Sequence, residues 1–453
     1  MMHMIAVKLA AWAGMFCLFF LPGVFPAEAE PGAGPEPVVS YSREQPSSVM
    51  PVVRWKADLD AVSYELEVFD SRPAFVFPDQ LSEQHVYENG RIYTNAAMLD
   101  LDQIVPGHDW SKPVYWRVRA MNLDRQPITA FSPLTPLYGS EEAPSRHAPI
   151  PRAFFDQGNG TVLLYPVYSF LPMPDAAQYE VEVTDELPEN PNGTEPSVHR
   201  IFSRVISNAN LYDPEARIGT YYWRVRGLDA QGQAVGIWSQ AEKFRTDPED
   251  QWEIGVFGDS ISHGGGNLSY GPADWSYSYS YYLHFPVINL SFSGDTSESA
   301  VERFDRDVLP FHVKYLLIMT GSNSIRANVP PEDVIHDLQT LQEKCRDNGI
   351  TPILMTLPPL NPVNIRKAFS EDTYGDWRAN LAAVNAFIRT QPHIDTAAAF
   401  ADDDAMPYDL AADGLHGNWR AKQMMAGVIN EHIGEFVPDL PKTMNQPAPG
   451  ASD

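Results

Sequence analysis

Two cysteines in 453 residues are too few for a disulfide framework. Cys17 lies inside an N-terminal apolar run that is expected to be removed, which leaves Cys345 as the single cysteine of the mature chain and excludes an internal disulfide. No Cys/His cluster has the spacing of zinc ligands, so neither a metal nor another cofactor is expected. Basic residues are scarce beside acidic ones, 32 Lys and Arg against 59 Asp and Glu. The resulting net charge of -27 repels phosphate backbones and argues against nucleic acid as a partner. The motif GxSxG is also missing, which sets aside the nucleophile elbow of the α/β-hydrolases. One long apolar stretch exists, "LAAWAGMFCLFFLPGVF" after Lys8. It is shorter than a usual membrane span, is broken by Gly14, Pro22 and Gly23, and leads into the small residues of "PAEAEPG". It reads as an export signal over residues 1–29, cleaved near Ala27 or Ala29, which predicts a secreted or periplasmic protein with no stable membrane insertion afterwards.

What is present suffices for several cores: 44% of residues are hydrophobic and 11% aromatic, and the length predicts about three domains. Residues 30–39, "EPGAGPEPVV", form a Pro/Gly-rich spacer expected to be a flexible leader. A repeat follows. "YELEVFD" and "VYWRVRAMN" in residues 40–142 return as "YEVEVTD" and "YYWRVRGLD" in residues 150–246. Each alternates apolar and polar residues as a half-buried strand does, so that Trp116, Val118 and Ala120 face one way and Arg117 and Arg119 the other. The strands "YWRVRA" and "YYWRVRG", followed by "ITAFSP" and "VGIWSQ", resemble those of fibronectin type III domains, and the resemblance implies two consecutive β-sandwiches.

From Trp252 the pattern changes. The short apolar runs "EIGVF", "PVINL", "VKYLLIM" and "TPILMTL" alternate with the amphipathic segments "PEDVIHDLQTLQEKCRDNG" and "DWRANLAAVNAFIRT", which predicts a three-layer α/β/α domain with a mainly parallel sheet over residues 252–437. Residues 438–453 are expected to be a disordered tail. In such sheets active sites gather at the carboxyl ends of the strands. There the sequence places "GDSIS" with Ser260, "SGD" with Gly294, "GSNS" with Asn323 and, ahead of the last helix, "DGLH" with Asp413 and His416.

These four motifs, in this order and at these strand ends, resemble the SGNH (GDSL-type) hydrolase family over the whole third domain. The resemblance implies Ser260 as nucleophile, His416 as its base and Asp413 as the group that fixes the imidazole. Oxyanion donors would be the backbone N–H groups of Ser260 and Gly294 and the side-chain amide of Asn323. Two departures from the family pattern stand out. Ile261 replaces a leucine, and Ser324 stands where an aspartate is common, which puts a loop hydrogen bond in doubt. Asp259 is expected to brace the nucleophile turn, and His263 to be a neutral surface histidine.

Between Ser260 and Gly294, "YGPADWSYSYSYYLHF" is rich in tyrosine. Read as a helix, it would bury Trp275, Tyr279 and Tyr282 and turn Tyr277 and Tyr281 outward, as flat surfaces suited to sugar rings. The expectation is a secreted serine carboxylester hydrolase that removes short acyl groups, acetyl above all, from a small acylated molecule or polysaccharide through an acyl-serine intermediate. Two alternatives stay open: a lipase- or thioesterase-like hydrolase of longer acyl esters, and a catalytically inactive surface- or carbohydrate-binding protein.

Overall fold

A computed structural model of the chain describes residues 32–152, 162–264, 274–400 and 405–440. The expected export signal and most of the expected tail lie outside these residues. Among the described residues no helix is long and apolar enough to cross a membrane.

The first repeat forms a short antiparallel pair, β1 (Val52–Arg54) with β4 (Ala96–Met98), and a four-stranded sheet. That sheet runs β3 (Tyr87–Ile92), β2 (Ser63–Phe69), β5 (Val114–Met121), β6 (Thr135–Leu137), and the one-turn helix α1 (Leu101–Ile104) follows β4 in the chain. Residues of both sheets share one apolar core around Trp55, Leu66, Trp116 and Val118. The segment expected to be a flexible leader is tied to this module: Val38 N–H donates to Arg54 O at 3.0 Å, and Ala130 N–H to Gly32 O at 2.8 Å. Backbone hydrogen bonds to two separate segments hold a Pro/Gly-rich stretch that composition alone reads as loose.

The second repeat builds the same kind of pair. A three-stranded sheet joins β7 (Ile150–Pro151), β9 (Val167–Leu171) and β12 (Asn210–Tyr212). Opposite it, β10 (Gln178–Thr184) lies between β11 (Arg200–Ile206) and β13 (Gly219–Leu228), and β13 also pairs with β14 (Ala234–Val235) and β15 (Glu242–Thr246).

In both repeats the alternating strands depart from the half-buried expectation, because the arginine face is buried too. Glu67 stands across from Arg117 and Glu65 from Arg119. Arg117 Nε donates to Glu67 at 2.6 Å and Arg119 Nε to Glu65 at 2.6 Å. Their remaining N–H groups are taken by the carbonyl oxygens of Phe77, Gln80 and Asp79, and Phe131 covers both guanidinium groups at 4.0 and 4.5 Å. The second module repeats the device with Arg224 on Glu182, Arg226 on Glu180, and Trp238 above both at 4.6 Å. A buried charge persists only when paired and fully hydrogen-bonded, and each loop supplies what the opposing glutamate leaves unfilled.

The remaining strands make one parallel sheet, in the order β20 (His393–Ile394), β19 (Thr351–Met355), β18 (Tyr315–Met319), β16 (Ile254–Gly258), β17 (Ile288–Asn289), β8 (Val162–Leu163). Its helices include α3 (Ser297–Asp307), α5 (Pro331–Asp347), α6 (Pro362–Phe369), α7 (Trp377–Ile388) and α8 (Trp419–His432). The chain leaves β16 to one side for β17 and returns to the other side for β18, so the strand order reverses at the carboxyl end of β16, where crevices form in open α/β sheets. The edge strand β8 comes from the second repeat and not from residues after 252. Val162 and Leu163 pair with Ile288 and Asn289, and Leu164 and Tyr165 belong to the apolar core of the parallel sheet. The two-residue strand carries no periodicity that a sequence reading could have assigned to this sheet.

Candidate active site

Ser260 opens the one-turn helix α2 (Ser260–His263) directly after β16, and the side chain of Asp259 caps that turn by accepting Ile261 N–H at 3.0 Å. From the other end of the sequence, the loop before α8 brings Asp413 and His416. Asp413 Oδ1 accepts the N–H groups of Leu415 and His416 at 3.0 and 2.7 Å, and its Oδ2 lies 2.8 Å from His416 Nδ1. This tight loop needs Gly414, which has φ +87° and where a Cβ would sit 2.3 Å from Asn361 O. His416 Nε2 is 2.7 Å from Ser260 Oγ, and Ser260, Asp413 and His416 are all buried. With Asp413 accepting from Nδ1–H, Nε2 is left as the acceptor of the serine proton.

Gly294 follows β17, which lies beside β16, with φ +95° and open space where a Cβ would point. Asn323 lies in the short helix α4 (Ser322–Arg326) after β18. Its Nδ2 donates to Asp295 O at 2.9 Å, which sets the amide against the Gly294 loop and leaves its second N–H for another acceptor. Ser324, at the position that departs from the family pattern, makes a loop hydrogen bond: its hydroxyl accepts Ser297 N–H at 2.9 Å at the start of α3. All five residues read from the motifs therefore converge on one rim of the sheet.

Other expectations fail. The tyrosine-rich segment is no helix but two short 3-10 turns, Trp275–Tyr277 and Tyr279–Tyr282. Tyr277 does not face outward: it is buried with its ring against Trp419, centroids 5.1 Å apart. Tyr281 is half-buried against Tyr282, centroids 5.2 Å apart. Packing on Trp419 and Tyr282 covers the rings that a helical reading turned toward substrate. Nor is His263 a surface residue: it is fully buried, and burial holds its pKa down at about 4.

Sequence reasoning passed over Lys422 and Arg303. Lys422 sits in the apolar stripe of α8, three residues before Met425, and donates to Ile261 O at 3.1 Å beneath the nucleophile turn. Burial lowers its pKa to about 8, while burial raises that of nearby Asp259 to about 6. Arg303 occupies the buried face of α3 and donates to Gly258 O at 3.0 Å, to Leu290 O at 2.6 Å and to Asp295. In both cases a cation at a position of apolar period was the available signal.

A groove of about 790 Å³ opens beside Asn323 and is lined by Arg326, Glu371, Asp372, Thr373 and Tyr374. Arg326 pairs with Glu371 at 2.6 Å, and Tyr374 is exposed.

Residues 256–424 match the GDSL-like Lipase/Acylhydrolase family. A segment of 80 residues is 36% identical to the uncharacterized lipoprotein YqeF of Bacillus subtilis (strain 168), covering 16% of this chain. The chain spans about a third of that relative's length, 33%. Among solved structures, the chain is similar to a GDSL-like lipase from Bacteroides thetaiotaomicron VPI-5482, with 17% identity, 41% of this chain and 90% of that one covered, and a TM-score of 0.33. A lipase/acylhydrolase from Enterococcus faecalis gives 18%, 42%, 98% and 0.34 for the same quantities. A catalytic mutant of an acetylxylan esterase from Geobacillus stearothermophilus gives 18%, 40%, 94% and 0.31.

Proposed function

We propose that the protein is an exported serine carboxylester hydrolase that removes short acyl groups from a carbohydrate alcohol. The observation that carries this reading is the unbroken line Asp413 Oδ2, His416 Nδ1, His416 Nε2, Ser260 Oγ, with contacts of 2.8 and 2.7 Å, on a segment matching an acylhydrolase family. In the first half-reaction Ser260 Oγ attacks the ester carbonyl while its proton passes to His416 Nε2. Asp413 steadies the imidazolium, which then protonates the departing alcohol. Water, deprotonated by His416, attacks the acyl-serine, and collapse of the second tetrahedral adduct releases the acid and restores Ser260. The oxyanion that forms twice is met by the N–H groups of Ser260 and Gly294 and by the free N–H of Asn323.

The groove beside Asn323 supports a polar alcohol as leaving group, since an exposed tyrosine, an ion pair and further carboxyl and hydroxyl groups line it. Sugar rings offer an apolar face to the first and hydroxyls to the rest. In this reading the two antiparallel modules are fibronectin type III-like, and the chain is exported by residues 1–29. A series of p-nitrophenyl esters of rising chain length, with Ser260→Ala as control, tests it: acetyl should be cleaved fastest and the variant should be inactive. Rates rising toward octanoyl would move the assignment to a lipase-like enzyme. Wild-type protein inactive on every ester would leave a binding protein.

A further inference from the structure

His263 takes no part in this reaction, yet both of its ring nitrogens are engaged. Nδ1 accepts Ser293 N–H at 3.1 Å, with Ser293 Oγ at 2.8 Å. A nitrogen that accepts a backbone N–H carries no proton, so the ring proton is on Nε2, which donates to Tyr165 O at 2.8 Å. Tyr165 belongs to the second module, between β8 and β9. The same module places Tyr212 edge-on to the imidazole, centroids 5.4 Å apart. On the other side Asn289 Nδ2 holds the carbonyl oxygens of Ser262 and His263 at 2.9 and 3.2 Å. Burial keeps the ring neutral, and the positive charge of Arg303 acts in the same direction.

Tyr165 has a second line to the same loop. Its hydroxyl donates to Asp307 Oδ2 at 2.7 Å, Asp307 receives Arg303 Nη1 at 3.1 Å, and Arg303 Nε donates to Asp295. One residue of the second module is thus connected to Ser293 through its carbonyl and to Asp295 through its phenol. Those are the two neighbours of Gly294.

We propose that His263 is a positioning residue: tied to the second module through Tyr165, it holds Ser293, and with it the Gly294 N–H, where the oxyanion forms. The proposal rests on the hydrolase reading above. Gly294 has φ +95° and open space where a Cβ would point, so no side-chain packing fixes its conformation. Backbone bonds on either side must do so.

The test is steady-state hydrolysis of p-nitrophenyl acetate by the full chain and its variants, with thermal unfolding recorded on each. His263→Asn keeps an oxygen near the place of Nδ1, able to accept Ser293 N–H, whereas His263→Gln keeps a donor toward Tyr165 and offers Ser293 nothing. The Gln and Ala variants should lose roughly 10-fold to 100-fold in kcat with KM unchanged, a part of the full cost of an oxyanion donor. His263→Asn should recover most of that loss. Wild-type kcat in His263→Gln, or losses that follow the unfolding temperature instead of the Ser293 acceptor, would overturn the proposal. Should the His263 variants fail to fold, Ser293→Ala decides: it removes the hydroxyl that lies 2.8 Å from Nδ1 and should lower kcat without moving KM, and unchanged kcat would overturn the proposal. Ser260→Ala runs alongside. Undiminished rate there would sink the hydrolase reading itself, while a dead Ser260→Ala beside an indifferent His263 would sink the positioning role alone.

Discussion

The two antiparallel modules share a sequence repeat and the same buried Arg–Glu ladder, yet they meet the parallel sheet in different ways. The first touches it through exposed groups: Arg420 with Asp60, and Asp124 with Lys367 and Tyr408. The second gives the sheet its edge strand, places Tyr165 in its core, and reaches the loop of Gly294 through His263 and Arg303. Homologous repeats need not be equivalent parts. What decides a domain boundary is where backbone pairing and apolar contact cross it, and here they cross between residues 162 and 165 and not at the charged linker "RTDPEDQ".

The largest effect expected from this contrast comes from truncation. A chain beginning near residue 141 should stay soluble and keep kcat on a small acetyl ester within a few-fold. One beginning near residue 248 should be insoluble or inactive, having lost β8 and Tyr165. Equal activity of the two, measured on purified protein, would make the second module as dispensable as the first.

Breaking the buried ladders should separate the modules more finely. Glu67→Gln and Glu182→Gln each leave a buried arginine unpaired and should cost about 3–5 kcal/mol in denaturant unfolding of the module concerned. Only Glu182→Gln should lower esterase activity as denaturant rises, because its module carries part of the catalytic sheet. Parallel loss of activity in both variants would contradict the asymmetry.

Acid should act through the His263 junction. The histidine's folded pKa, about 4, lies below its unfolded value, so its contribution to stability is complete above roughly pH 6.5 and is lost as pH falls through 4. Asp259 works oppositely: with a folded value of about 6, its contribution is complete below its unfolded value and is lost as pH rises through 6. The stability difference between wild type and His263→Asn should therefore shrink between pH 6.5 and 4, by up to roughly 3 kcal/mol. A difference independent of pH would show that the imidazole is not held neutral.

The smallest effect belongs to the exposed contacts of the first module. Arg420→Ala and Asp124→Ala should each change stability by less than about 1 kcal/mol and leave kcat on a small ester unmoved. A larger loss of kcat would mean that the first module also orders the Asp413–His416 loop.

Much of this architecture was legible in the chain because its signals are local. The repeated "YWRVR" strands marked two antiparallel modules. Ser260, Gly294, Asn323 and the Asp413–His416 pair each lie in a short polar turn directly after an apolar run or before a helix. What escaped depends on contacts distant in sequence. Arg117 and Arg119 look solvated until a loop some forty residues away covers them. His263 looks exposed until Tyr165 closes over it, and Tyr277 looks free until Trp419 packs on its ring. The strand Val162–Leu163 is too short to carry a period at all.

The central claim, that His416 activates Ser260, is tested most directly by labelling the full chain with a fluorophosphonate and mapping the modified peptide. A single adduct on Ser260, formed at a rate that falls by several orders of magnitude in His416→Ala, is the predicted result. An adduct on another serine, or labelling of Ser260 that does not depend on His416, would contradict it.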